Sequence, residues 1–200
     1  MNYSDHARTA NSIGLGTTDP PGKRKVANYI IATIVILNFG VSLLLSLILN
    51  VWIDEAFTLN DTGGSLTFAV KQALNFELQP PLYFVLLNLW RMVNSSLFFA
   101  RVFSGVCIAT TLVVAAMLGR RFFTGAAQIW SLLIIAFNPF TIWAATEIRF
   151  YPLVILFSSL LILFFYDGYI SEIPSRRARL LYLIVAVLSL YTQSLLSKII

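Results

Sequence analysis

From Val26 to Val51 the chain runs without a charged residue, directly after the basic triplet Lys23-Arg24-Lys25. At 1.5 Å per residue a helix of this length exceeds a hydrocarbon core of roughly 30 Å, and no soluble domain of this size has room to bury one apolar on every side. The bilayer is the natural solvent for it. The rest of the chain agrees: 58% of residues are hydrophobic, 12% are charged and the mean hydropathy is +0.80, against about 25% charged in soluble domains. The basic triplet imitates the start of a signal peptide, but the run is too long and no small-residue cleavage site follows, so it reads as an uncleaved first anchor.

Further apolar runs cover Phe98–Leu118, Ala126–Ala145, Tyr151–Tyr166 and Leu180–Ser194. The expectation is an all-α, polytopic transmembrane bundle of about five spans. With Lys23-Arg24-Lys25 on the cytoplasmic side, alternation places Arg120-Arg121 and Arg176-Arg177-Arg179 there too, so three basic clusters satisfy one orientation. Asp54, Glu55, Glu77, Arg101, Glu147 and Arg149 then share the outer side. The segment Leu82–Met92 has too few residues to span; behind Pro80-Pro81 it reads as an interfacial or re-entrant helix, with Tyr83 and Trp90 suited to the headgroup zone. A second amphipathic helix is expected in the same outer loop, residues 52–97: Leu66, Ala69, Val70, Ala73 and Leu74 fall at helical spacing after Gly63-Gly64-Ser65. Residues 1–25, rich in Ser, Thr, Gly, Asn and Pro towards the start, read as a disordered cytoplasmic tail, and 26–200 as the transmembrane region. No internal repeat is present.

The net charge of +5 lies in short clusters beside apolar runs and marks topology; it does not form the continuous basic face that nucleic acid requires. Cys107 is the only cysteine and lies inside a span, so no disulfide framework or thiolate metal cluster is available. His6, the only histidine, sits in the tail, which excludes a histidine-based triad within the bundle. Asn60-Asp61-Thr62 and Asn94-Ser95-Ser96 match the glycosylation sequon on the outer side, a short pattern of little specificity.

Asp54 and Glu55 follow Trp52 where the first apolar helix meets water. Carboxylates there are costly unless solvated, paired or bound to a cation. They read either as a solvated cap or as a general base or metal ligand. At the outer end of the third span, Glu147, Arg149 and Tyr151 offer a second carboxylate with a neighbouring guanidinium, a combination suited to an anionic substrate or to simple termination of the span. Arg101, among aromatic residues near the outer end of the second span, requires a partner: the interface, an acidic side chain or a lipid phosphate.

Taken in order, Asp54-Glu55, Gln79-Pro80-Pro81-Leu82-Tyr83, Ala100-Arg101-Val102-Phe103-Ser104, Gly119-Arg120-Arg121-Phe122-Phe123 and Glu147-Ile148-Arg149-Phe150-Tyr151 resemble the N-terminal part of the GT-C membrane glycosyltransferases. The likeness is to the branch that holds protein O-mannosyltransferases and the lipid A aminoarabinose transferases, and it covers about residues 23 to 195. It implies inverting transfer of a sugar from a polyprenyl-phosphate donor to a glycan, lipid or protein acceptor at the outer face of the plasma (inner) membrane. By resemblance Asp54 is the base, with Glu55 beside it, and Glu147 is the second acid. Arg101, Arg149 and Tyr151 contact the carrier phosphate or the active-site carboxylates, and Pro80 and Pro81 shape the loop over the cleft. A divalent metal is bound in some members of the family and not in others, which leaves the cofactor open. Members are usually more than twice as long, so the chain is expected to be the N-terminal portion of a larger enzyme. Two other classes fit a polytopic chain, a transporter or channel and a non-catalytic scaffold; charges gathered at one face and absent from mid-span argue against transport.

Overall fold

The computed structural model describes residues 21–193, so the expectations for the tail 1–20, with His6, and for residues 194–200 lie outside it. The described chain is all-helical: α1 (Pro21–Ile48), α2 (Ile53–Asp61), α3 (Leu66–Asn75), α4 (Leu82–Arg91), α5 (Leu97–Phe122), α6 (Ala126–Ala136), α7 (Pro139–Thr146), α8 (Tyr151–Phe165), a π turn (Tyr166–Ile170) and α9 (Arg176–Leu190).

Three helical stretches are long and apolar enough to cross a membrane: Arg24–Ile48, Leu97–Phe122 and Tyr151–Ile170. α6 and α7 together make a fourth, bent by 52°. The third apolar run is therefore not one straight span. Pro139 has no amide to continue the ladder, and Asn138 caps the new helix by accepting the Phe140 N–H at 2.9 Å. The Ala136 carbonyl freed by the break accepts a hydrogen bond from Asn38 Nδ2 of α1 at 2.6 Å. That contact explains a buried asparagine about two-thirds of the way along a membrane-length apolar helix. α9, where a fifth span was expected, has 15 residues, fewer than the roughly 20 that cross a bilayer. α1 starts at Pro21, five residues before the apolar run; Pro suits a first helical turn.

α5 is the central helix and packs on α1, α4, α6, α7 and α8. Its first turn is capped by Ser96, whose hydroxyl accepts the Phe99 N–H at 3.3 Å. Gly105 lies against Phe39 of α1, and a Cβ there would stand 3.1 Å from the ring. Along the facing stripe of α1, Asn38, Ser42 and Ser46 recur every four residues and are buried; each serine hydroxyl bonds back to the carbonyl one turn earlier. Small polar residues at this seam allow close approach of the helices without leaving polar atoms unmet in a region that water does not reach.

The segment 52–97 is folded onto the bundle. α3 forms where expected, capped by Ser65, with Ala69 and Ala73 fully buried. α4 departs from expectation in its surroundings: Tyr83, Phe84 and Leu87 are buried in the main core with Phe150, Leu153 and Phe157, and Trp90 stacks on Phe99 while its Nε1 donates to the Phe99 carbonyl at 2.8 Å. Tyr83, 1% exposed, is a core residue and not a headgroup anchor. An amphipathic ten-residue helix buries its apolar face against whichever apolar surface is nearest, and here that surface is protein.

Candidate functional site

Asp54 and Glu55 do not end the first span. They lie in the first turn of the separate helix α2, where their charge complements the helix dipole. The Glu55 carboxylate accepts the Trp52 N–H at 3.2 Å, reaching back from the third helical position to meet one orphan donor of the helix start. One residue apart on a helix, the two carboxylates point about 100° away from each other, and this separates their fates. Asp54 is exposed, and no described side chain hydrogen-bonds its carboxylate. Glu55 faces inward and is fully buried.

Inside, Glu55 meets Arg101 of α5. Arg101 Nη2 donates to Glu55 Oε2 at 2.7 Å and Nε to Oε1 at 3.1 Å, a two-point fork. The Ile148 N–H adds a fourth bond to the carboxylate, to Oε1 at 3.0 Å. The remaining Arg101 donors reach the end of α1: Nη1 to the carbonyls of Ser46 (3.1 Å) and Leu49 (2.8 Å), and Nη2 to that of Asn50 (2.9 Å). Four acceptor positions on the carboxylate and five donors on the guanidinium are thus all taken by protein groups. The pair joins the end of α1, the start of α2, the start of α5 and the 147–148 segment at one buried point. Neither group retains capacity for a substrate.

That anchorage sets Glu147 beside Asp54. Glu147 follows α7 as its C-cap and is 8% exposed, and Ser104 Oγ of α5 donates to its backbone carbonyl. Burial pushes its carboxyl up from the ordinary value; the nearby negative charges of Glu55 and Asp54 push the same way, opposed by Arg101 and by a hydrogen bond from Trp143. Arg149 reaches over α2 and donates from Nη1 to Thr58 Oγ1 at 3.1 Å, to the Asp54 carbonyl at 3.4 Å and to the Glu77 carboxylate at 3.4 and 3.5 Å. All of these use one nitrogen. Its Nε is buried with no partner among the described residues, and its Nη2 makes no hydrogen bond among them, so the guanidinium keeps an unused edge at Nη2. Tyr151 opens α8, its ring against Trp143 and Phe150 with centroids 5.5 and 4.6 Å away.

The structure thus gathers Asp54, Glu147 and Arg149 around α2, with Glu55 and Arg101 beneath them, while Tyr151 packs on Trp143 and Phe150. Pro80 and Pro81 stand elsewhere: with Leu74, Leu78, Gln79, Leu190 and Tyr191 they line a cleft of about 450 Å³ between the α3–α4 connection and the end of α9. Leu78 sits there at φ 53, exposed and in the left-handed region that a leucine rarely adopts. Among the described residues no three His, Cys, Asp or Glu side chains are grouped to hold a metal ion.

Sequence reasoning missed Asp61, Gln72 and the coupling role of Glu77. Asp61 of α2 is 1% exposed, accepts from Gln72 Nε2 at 3.3 Å and lies within hydrogen-bonding reach of Glu77. Burial raises its pKa, while Asn60, Gln72, Arg149 and Glu77 pull the other way. The only signal available was its spacing of seven residues from Asp54, two turns along one helix. Comparison with known proteins found no matching family model, no curated relative and no solved structure.

Proposed function

We propose that the chain is a membrane glycosyltransferase, or the N-terminal part of one, that moves a sugar from a polyprenyl-phosphate donor to an acceptor hydroxyl at the outer face of a plasma membrane. The observation that carries the reading is the division of labour between adjacent acids. Glu55 is consumed in holding the frame, and Asp54, which the resemblance casts as the base, is left open to solvent beside a second carboxylate and a guanidinium with an unused edge.

In this reading Asp54 accepts the proton of the acceptor hydroxyl as its oxygen attacks the anomeric carbon from the side opposite the phosphate. The bond from that carbon to the phosphate oxygen breaks, its electron pair leaves with the polyprenyl phosphate, and the anomeric configuration inverts. Arg149 is the cation placed to meet the charge on the departing phosphate through its unpartnered Nη2. Glu147, protonated over a wider pH range than an ordinary glutamate, hydrogen-bonds sugar or acceptor hydroxyls. Glu55 and Arg101 position the site. The five-span topology, with residues 52–97 outside and the basic clusters in the cytoplasm, belongs to the same proposal.

The test is transfer of mannose from synthetic polyprenyl-phosphate mannose by membranes containing the protein. Asp54→Asn is expected to lower transfer by two or more orders of magnitude, the usual scale for a lost base being about 10²–10⁴, with the unfolding midpoint unchanged. Undiminished transfer by Asp54→Asn and by Glu147→Gln would remove the catalytic assignment.

A further inference from the structure

The end of the bundle opposite the acidic site is assembled from three basic clusters far apart in sequence. Arg120 Nη2 at the end of α5 donates to Asn28 Oδ1 near the start of α1 at 2.7 Å, which brings Arg24 and Lys25 alongside. Arg121 Nη2 pairs with Asp167 Oδ2 of the π turn at 2.9 Å. The Asp167 carbonyl accepts the Ser175 N–H at 3.0 Å, and Gly168 packs so closely on Arg179 that a Cβ would lie 2.9 Å from its Cγ. The basic start of α9 is thereby held against the basic end of α5.

The fold does not neutralise the charge it collects. Arg24, Lys25, Arg120, Arg176, Arg177 and Arg179 are exposed. Among the described residues only Arg121 has an acidic partner at this end. The start of α9 compounds this, with arginines at Arg176, Arg177 and Arg179 and no acid in its first turn, where the helix dipole itself is positive. Close like charges on an unfavourable helix end cost stability in water and are relieved by a counter-charge from outside. Exposed apolar side chains stand among them: Phe122 (58%), Tyr169 (50%), Ile170 (59%) and Ile173 (88%). A soluble polyanion satisfies the arginines but leaves these side chains in water. A bilayer surface takes both, phosphates meeting the guanidinium groups while the aromatic and aliphatic groups enter the headgroup boundary.

We infer that the basic end of the bundle is a docking surface for the headgroups of anionic phospholipids, gripped by Arg120 of α5 and Arg176 and Arg177 of α9. It is independent of the proposed sugar transfer at the other end and survives if that proposal fails.

The test uses the purified protein in micelles of nonionic detergent containing equal amounts of phosphatidylglycerol and phosphatidylcholine, with the lipid retained after washing quantified by mass spectrometry. The wild type is expected to retain phosphatidylglycerol several-fold over phosphatidylcholine, and the ratio to fall towards one in the Arg120→Gln/Arg176→Gln/Arg177→Gln variant and in high salt. The Arg→Lys version of the same triple, which keeps the charge, and Lys71→Gln, which alters charge at the other end, are both expected to keep the enrichment. Equal retention of the two lipids by the wild type, unchanged enrichment in the glutamine triple, or loss of enrichment in Lys71→Gln would overturn the inference. So would displacement of the lipid by an equal concentration of glycerol phosphate, which would show a site for soluble phosphate.

Discussion

Glu55 and Arg101 show how a buried ion pair differs from a surface one. With every donor and acceptor met, their desolvation is compensated by direct bonds, and removing either partner leaves the other charged and buried. Glu55→Gln is therefore expected to destabilise the protein by about 3–5 kcal/mol, the usual cost of breaking such a pair, measured by unfolding in mixed micelles. Arg101→Lys is expected to fare little better, since an ammonium cannot reach both carboxylate oxygens and three carbonyls from one position. If the proposed transfer holds, both variants are expected to lose it together with stability, whereas Asp54→Asn is expected to lose transfer alone, and this contrast separates framework from chemistry. Asp61 supplies a pH signature. Because burial raises its folded pKa above the unfolded value of 3.8, the folded state binds a proton more tightly, and the stability this contributes is present at low pH and lost as pH rises through the folded pKa. Asp61→Asn is expected to flatten that decline without lowering the neutral-pH unfolding midpoint. A midpoint that still falls with the wild-type slope would point to another group. From the sequence, Asp54, Glu147 and Arg149 were legible as a set on one side. That Glu55 is spent and Asp54 open was not, because adjacent residues on a helix differ in direction and only the packing decides which direction is inward.

At the scale of elements, composition read well and interruptions read poorly. The long apolar stretches of α1, α5 and α8 lie where the apolar runs placed them, since length and hydropathy suffice for such helices. The break between α6 and α7 was visible as Asn138-Pro139, yet a proline inside an apolar run is compatible with a kink, a break or a gentle bend. What stabilises the break is Asn38, roughly a hundred positions away. Asn38→Leu, close in size, leaves the Ala136 carbonyl unmet and is expected to cost about 1–3 kcal/mol, read as a lowered unfolding midpoint; an unchanged midpoint would mean that water or the α6 backbone meets that carbonyl. α4 illustrates the opposite error. Its length excluded a span, but its amphipathic pattern is the same whether the partner surface is lipid or protein, and so Tyr83 was misplaced.

Across the described residues, charge is largely sorted by end. Asp54, Glu55, Asp61, Glu77 and Glu147 gather around α2 with Arg101 and Arg149, and the basic clusters collect at the opposite end of α1, α5 and α9, where Asp167 pairs with Arg121. Single cysteines introduced at Asn60 and Thr124 in a Cys107→Ala background are expected to label from opposite sides of the membrane with an impermeant reagent, and labelling from the same side would sink the orientation. By itself the sequence determined that the chain is helical, that its spans are apolar and which charges share an end, because these follow from residue length, hydropathy and the cost of carrying charge through lipid. Only the tertiary structure decided that Glu55 and Arg101 close on each other, that Asn38 caps a distant break and that three basic clusters form one surface. Those outcomes depend on which faces of helices meet, and the pattern of one helix does not contain the identity of its neighbour.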